Sequence, residues 1–223
     1  VLFLFSSFQT VRAQTDLDAI MMEKNGFCVG AMYTNSSWKN YWEGTGKRIN
    51  ENIGTVSTQS FGLMGNYGVS QKLNVIFNIP YVTTKASAGT MHGMRGIQDL
   101  SLMLKYRPIN KKINNARLAV YGIAGGSIPV TNYVADFLPL SIGLKSKTAI
   151  ARLMVDYYYN SKWFATASAT YVYRSNIKID RNSYYTDELI LSNEVAMPNA
   201  TTFNIRAGYR TQWWLAEAVL NNW

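Results

Sequence analysis

The stretch 151–174 reads ARLMVDYYYNSKWFATASATYVYR. Every second residue of its first half is apolar or aromatic, and Arg152 and Asp156 fall between these residues. After the short connection 160–162 the same alternation resumes. A period of two residues is typical of a β-strand, because successive side chains point to opposite faces of a sheet. The stretch therefore predicts a hairpin of two amphipathic strands.

Folding this hairpin about Ser161 sets residue 159 opposite 163, residue 157 opposite 165 and residue 153 opposite 169. One face is then uniformly apolar, while the other carries charged and hydroxyl-bearing side chains. Such a wall suits a transmembrane β-barrel, with lipid outside and water inside. A soluble β-sandwich is the competing interpretation, since it would hide the apolar face against a second sheet. Strands of about 9–13 residues with aromatic ends favour the membrane crossing.

The same alternation of apolar and polar residues recurs along the chain. It predicts an all-β, antiparallel, up-and-down transmembrane β-barrel with about nine strands. The connections alternate between long and short, as in outer-membrane barrels with long external loops and short periplasmic turns. The predicted long loops are 35–54, 84–96, 129–148 and 175–201. The predicted short turns are 68–72, 108–115, 160–162 and 211–212.

An odd number of strands does not suit a closed barrel, because bacterial single-chain barrels have even counts and open edges are not tolerated in lipid. The pattern also stops in the middle of a strand at residues 221–223. We therefore expect residues 26–223 to be a C-terminally truncated barrel. The complete barrel is expected to have about 10 to 14 strands, with about 12 as the central value.

The first residues resemble the tail of a secretory signal peptide. An apolar run at 1–8 is too short to span a bilayer, and it is followed by Val11-Arg12-Ala13, a small-residue cleavage pattern. We interpret 1–13 as a signal peptide remnant and 14–25 as an N-terminal periplasmic segment. A buried first strand or helix is the alternative for 1–13. Export without a helical anchor leaves a soluble periplasmic protein or an outer-membrane barrel, and the strand pattern favours the bacterial outer membrane as the location.

Composition narrows the choice of partners and cofactors. The formal net charge is +9, but the Lys and Arg residues are dispersed, so we expect lipopolysaccharide and phospholipid headgroups rather than nucleic acid as partners. Cys28 is the single cysteine, so an internal disulfide is excluded. His92 is the single histidine and lies in a Gly-rich loop without a nucleophile motif. We expect no metal, no cofactor and no enzymatic activity, with an outer-membrane lipid hydrolase as a remote alternative.

Two segments resemble a known group of proteins. They are Tyr67-Gly68-Val69-Ser70-Gln71-Lys72-Leu73 running on to Pro80-Tyr81, and Gly96-Ile97-Gln98-Asp99-Leu100 followed by Lys105-Tyr106-Arg107. Together they are similar to Bacteroidetes-like outer-membrane barrels of the transporter or phenol-degradation meta-pathway type. The resemblance implies a barrel in the outer membrane and uptake of small, often apolar molecules. It implies no catalytic residues.

Charged residues that alternate with the lipid-facing positions form the candidate site. We expect them to line the lumen of the barrel along a solute path. They are Asp99, Lys105, Arg107, Arg152, Asp156, Arg206, Arg210 and Glu217. One interpretation is a passive channel for small, possibly apolar or aromatic, solutes. The other is a lumen plugged by mutually paired side chains, in a structural barrel that displays loops to partners.

The last hairpin gives a prediction at residue level. If Thr211-Gln212 is a two-residue turn, Arg206 lies directly opposite Glu217 inside the barrel. Ala207 then lies opposite Ala216 on the lipid face. A slip of one residue would turn every side chain of the strand to the other face, so the phase should be strongly specified.

Overall fold

The computed structural model describes residues 16–43, 45–211 and 213–222. The predicted signal peptide remnant at 1–13 lies outside the described residues. All regular structure in the described part is β-strand, and the strands pair antiparallel. Among these residues no helix is long and apolar enough to cross a membrane.

Sixteen strands follow one another along the described part of the chain. They are β1 Phe27–Trp38, β2 Asn40–Glu43, β3 Gly46–Ile49, β4 Val56–Ser70, β5 Leu73–Ala86, β6 Arg95–Ile97, β7 Asp99–Ile113, β8 Ala116–Pro129, β9 Thr148–Tyr159, β10 Trp163–Arg174, β11 Ile177–Lys178, β12 Tyr184–Tyr185, β13 Leu189–Ile190, β14 Glu194–Val195, β15 Ala200–Arg210 and β16 Leu215–Asn222.

Nine long strands form the main sheet in the order β1-β4-β5-β7-β8-β9-β10-β15-β16, with short β6 beside β5. Each long strand pairs with the next long strand of the chain, which is the predicted up-and-down arrangement. The sheet curls into an open half-barrel whose two edges are β1 and β16. The remaining strands pair as β2-β3, β11-β14 and β12-β13 within the long connections.

The hairpin of β9 and β10 has the predicted register. Tyr159 lies opposite Trp163, Tyr157 opposite Ala165, and residue 153 opposite residue 169. Burial alternates with the same period of two residues. Polar positions are buried and apolar positions are exposed, which is the reverse of the pattern in a soluble domain. In β10 the buried positions include Thr166, Ser168 and Thr170, whereas Ala and Tyr side chains between them are exposed. The polar phase therefore lies on the concave, inner face of the sheet, and the apolar phase on the convex face.

Long and short connections alternate as the sequence predicts. The long ones, 39–55, 87–98, 130–147 and 175–199, lie at one end of the half-barrel. We call this the long-loop end. The short ones, 71–72, 114–115, 160–162 and 211–214, lie at the other, the short-turn end.

The predicted turn at 108–115 is wrong. Strand β7 continues to Ile113, and only Asn114 and Asn115 form the turn. The pairing of β7 with β8 shifts between Tyr106 and Ile109, where the bulge contains Pro108. Proline has no N–H to donate to a strand ladder, and a bulge is one of the few places in a sheet that accept it.

The predicted register of the last hairpin is also wrong, by two residues. Arg206 lies opposite Val219, and Ala207 opposite Ala218, because the turn spans 211–214. A slip of two residues keeps every side chain on its predicted face. Arg206 still forms an ion pair with Glu217, now as a diagonal neighbour, with 2.6 Å between Nη2 and Oε1.

Two glycines of β8 allow close approach of neighbouring strands. A Cβ on Gly125 would lie 2.2 Å from the Leu102 carbonyl oxygen, and one on Gly126 would lie 2.2 Å from the Thr148 carbonyl oxygen. At Gly122 no atom lies within 4 Å of such a Cβ.

Candidate functional site: the concave interior

Residues 16–22, which we call the N-terminal segment, lie on the concave face of the sheet. Lys105 of β7 is fully buried, and its Nζ donates to the backbone oxygens of Asp18 and Ile20, the latter at 3.0 Å. The same Nζ lies 3.2 Å from Asp18 Oδ1. A buried ammonium needs such partners, because an isolated buried charge is costly. Lys105 therefore fixes the middle of the segment.

Three further side chains fasten the N-terminal segment from other strands. Arg152 of β9 donates from Nη1 to Asp16 Oδ2 at 2.8 Å. The buried Tyr121 of β8 donates from its hydroxyl to the Ala19 carbonyl oxygen at 2.7 Å. Arg206 of β15 donates from Nη1 to the carbonyl oxygen of residue 17 at 3.1 Å. Four strands thus hold one short segment without regular structure, which fills part of the interior.

The loop 130–147 covers the interior at the long-loop end. Its Tyr133 and Ile142 are buried and pack with Val82 of β5. The Tyr133 hydroxyl donates to Asp99 Oδ1 at 2.7 Å. Burial, and then the hydrogen bond to the Asp99 carboxylate, raise the pKa of Tyr133 above its usual value. The phenol is therefore a donor at neutral pH, and it fastens this loop to the start of β7.

Between the N-terminal segment and the sheet edges lies a cavity of about 500 Å³. We call it the large cavity. Its apolar lining includes Met32, Met64 and Met103 from three strands. Asn204, Arg206 and Glu217 supply polar groups on one side. Flexible thioether side chains adapt to ligands of different shape, so the cavity suits small, largely apolar molecules.

The structure places all eight predicted lining residues on the concave side. Asp99, Lys105, Arg152, Arg206 and Glu217 make the contacts described above. Asp156 accepts from the Thr166 hydroxyl at 2.8 Å and from Arg117 Nη2 at 3.3 Å. Arg107 donates from Nη2 to the carbonyl oxygen of residue 71 at 3.0 Å. The Arg210 guanidinium lies over the Phe164 ring, 4.8 Å from its centroid.

Several residues of the interior were missed by the sequence analysis. Asp16 and Asp18 were assigned to a periplasmic segment, and no periodic pattern in 14–25 indicates where that segment lies. Tyr121 could have been found from the sequence, because it is an aromatic residue on the polar phase of its strand. A buried tyrosine at such a position needs a hydrogen-bond partner for its hydroxyl. Arg117 shares that phase, and it lies two residues beyond the predicted turn at 108–115.

Among the described residues no three His, Cys, Asp or Glu side chains are grouped as metal ligands would be. His92 is exposed in the long connection between β5 and β6. The absence of enzymatic activity stays a prediction.

Comparison of the chain with protein-family models finds no match, and neither does comparison with curated proteins.

Proposed function

We propose that this chain forms the wall of a bacterial outer-membrane β-barrel through which small, largely apolar solutes pass. The observation that carries the proposal is the reversed polarity of the sheet. Leu153 and Phe203 on the convex face are exposed by 60% and 54%, whereas Lys105 and Asp156 on the concave face are buried. In water a large apolar surface of this kind promotes aggregation, but in a bilayer it is the required outer surface.

The large cavity supports passage of solutes along the interior. Its volume of about 500 Å³ is in the range of ordinary small-molecule sites. Its walls are mainly apolar, and their polar groups come from β15 and β16, from Asp16 of the N-terminal segment, and from Asn78 and Ser101 on the opposite wall. Lipopolysaccharide and phospholipid headgroups are the proposed partners of this basic chain, whose formal net charge is +9.

A plugged structural barrel that displays loops 39–55, 130–147 and 175–199 to partners is the second candidate. The four-strand anchoring of the N-terminal segment favours it, because a segment held by buried ion pairs obstructs the interior. The two candidates differ in whether solutes pass the segment.

Planar-bilayer conductance of the complete protein separates them. Met64 lines the large cavity, and its neighbour Leu63 is exposed on the convex face of the same strand. We expect Met64→Trp to lower single-channel conductance by about threefold or more, because the indole fills the cavity, while Leu63→Trp leaves it unchanged. A folded barrel without conductance would contradict the channel and favour the plugged barrel.

A further inference from the structure

A second, smaller cavity lies at the short-turn end of the interior, beneath the N-terminal segment. Its volume is about 170 Å³. Four arginines line it: Arg107 of β7, Arg117 of β8, and Arg206 and Arg210 of β15. We call it the arginine cavity. Three strands thus bring four guanidinium groups to one enclosed space.

Two of these guanidinium groups form ion pairs with carboxylates. Arg117 lies 3.3 Å from Asp156 Oδ2, and Arg206 lies 2.6 Å from Glu217 Oε1. Arg107 and Arg210 form no ion pair in the described part of the chain. The lining combines these four arginines with the carboxylates of Asp18 and Asp156, so it keeps a net formal charge of two positive units, although Asp156 attracts Arg210 as well as Arg117.

The hydrogen-bonding capacity of the arginines is also incompletely used. The Nε atoms of Arg107, Arg117 and Arg206 are buried without an acceptor among the described residues. The Arg210 guanidinium lies over the Phe164 ring, and its side chain makes no hydrogen bond with the described residues. Leaving buried donors unpaired is unfavourable, and an oxyanion is the group that a guanidinium fork pairs with best.

Aromatic rings hold two of the guanidinium planes in place. Arg117 lies 5.3 Å from the centroid of the Tyr158 ring, and Arg210 lies 4.8 Å from that of Phe164. A cation stacked on an aromatic face keeps its orientation without using its N–H groups. The donors of the cavity are therefore positioned before any ligand arrives.

We propose that the arginine cavity binds a small oxyanion, either an inorganic tetrahedral anion or the carboxylate of a small organic acid. A charge of one or two negative units matches the net positive charge of the lining. The volume corresponds to roughly five water molecules, which admits such an anion and excludes a nucleotide. This site is separate in chemistry from the largely apolar path of the proposed channel.

Isothermal titration calorimetry on the complete protein in a non-ionic detergent tests the proposal. Phosphate, sulfate and acetate are titrated at low ionic strength, because salt screens the interaction. We expect saturable binding of at least one anion at about 1 mM or tighter. Arg107→Gln and Arg210→Gln should each weaken it about tenfold, and Arg210→Lys, which keeps the charge but loses the fork, should weaken it less.

Arg181→Gln is the matched control, because Arg181 is an exposed cation of a long loop paired with Asp136. It removes the same charge far from the cavity and should leave binding within about twofold. Tighter binding of phosphate and sulfate than of acetate would identify a tetrahedral anion, and the reverse order a carboxylate. No saturable binding of any of the three, or an equal loss with Arg181→Gln, would overturn the proposal. The readout is binding alone, so its outcome does not depend on conductance.

Discussion

Single glycines decide how closely the strands around β8 can approach each other. We predict that Gly125→Ala destabilises the protein by about 2 kcal/mol, since its methyl group would meet the Leu102 carbonyl oxygen and the backbone would have to move. Gly122→Ala is the control on the same strand, where the methyl group meets no atom. It should be neutral or stabilising by about 0.5 kcal/mol, because alanine is less flexible than glycine in the unfolded chain.

Thermal unfolding in detergent measures both variants. Equal stability of the two variants would contradict the close approach of β7 and β8 at Gly125.

The orientation of single residues is the part of the candidate site that the sequence predicts best. Lys105, Asp156 and Arg206 lie on the concave side because the two-residue period leaves them no other face. Their partners could not be predicted in the same way. Lys105 and Asp18 are 87 positions apart in the sequence. No periodic pattern relates a residue of a strand to a residue of an irregular segment.

At the level of elements, the pairing register of two strands is harder to predict than the face of the sheet on which their side chains lie. The sequence predicts the β9–β10 register correctly, because the break in alternation at 160–162 marks the turn. In the last hairpin the alternation is compatible with a turn of two or four residues, and both lengths put the same side chains outside. The hydrophobic pattern fixes register only to a multiple of two.

Disulfide trapping tests the observed register of β15 and β16 in a Cys28→Ser background. We predict that the pair Ala207→Cys and Ala218→Cys forms a disulfide readily, because directly opposite residues have Cβ atoms about 5 Å apart. The pair Ala207→Cys and Ala216→Cys is displaced by two positions and should react poorly. Mass spectrometry of unreduced peptides measures both, and preferential reaction of the second pair would restore the two-residue turn.

The bulge in β7 explains the other misplaced turn. Pro108, followed by a polar stretch with two lysines, resembles a turn signal in sequence. The sheet instead places Pro108 in the bulge, and β7 pairs again with β8 beyond it. In this last part of the strand, the alternation between inward-facing and outward-facing residues is shifted by one position. Sequence alone does not distinguish a proline that ends a strand from one that a bulge accepts.

At the scale of the whole molecule, the N-terminal segment fills part of the interior of the curled sheet. We predict that Ala19→Cys, in a Cys28→Ser background, reacts with a maleimide at least about tenfold more slowly than Leu191→Cys, because Ala19 is 8% exposed and Leu191 is 81% exposed. Adding Lys105→Met should raise the Ala19→Cys rate about tenfold, since the buried ammonium that holds the segment is lost.

Lys112→Met is the control for the second step, because Lys112 is an exposed lysine of the same strand. It should leave the labelling rate unchanged. Equal labelling of Ala19→Cys and Leu191→Cys would show that the segment does not occupy the interior in solution.

The order of the main sheet has a consequence for the direction of its two edges. Both β1 and β16 run from the short-turn end towards the long-loop end, because an odd number of alternating strands begins and ends in the same sense. If the two edges met directly they would pair in parallel, unlike every other neighbour in the sheet. A closed wall with antiparallel pairs throughout would therefore require an odd number of strands between these two edges.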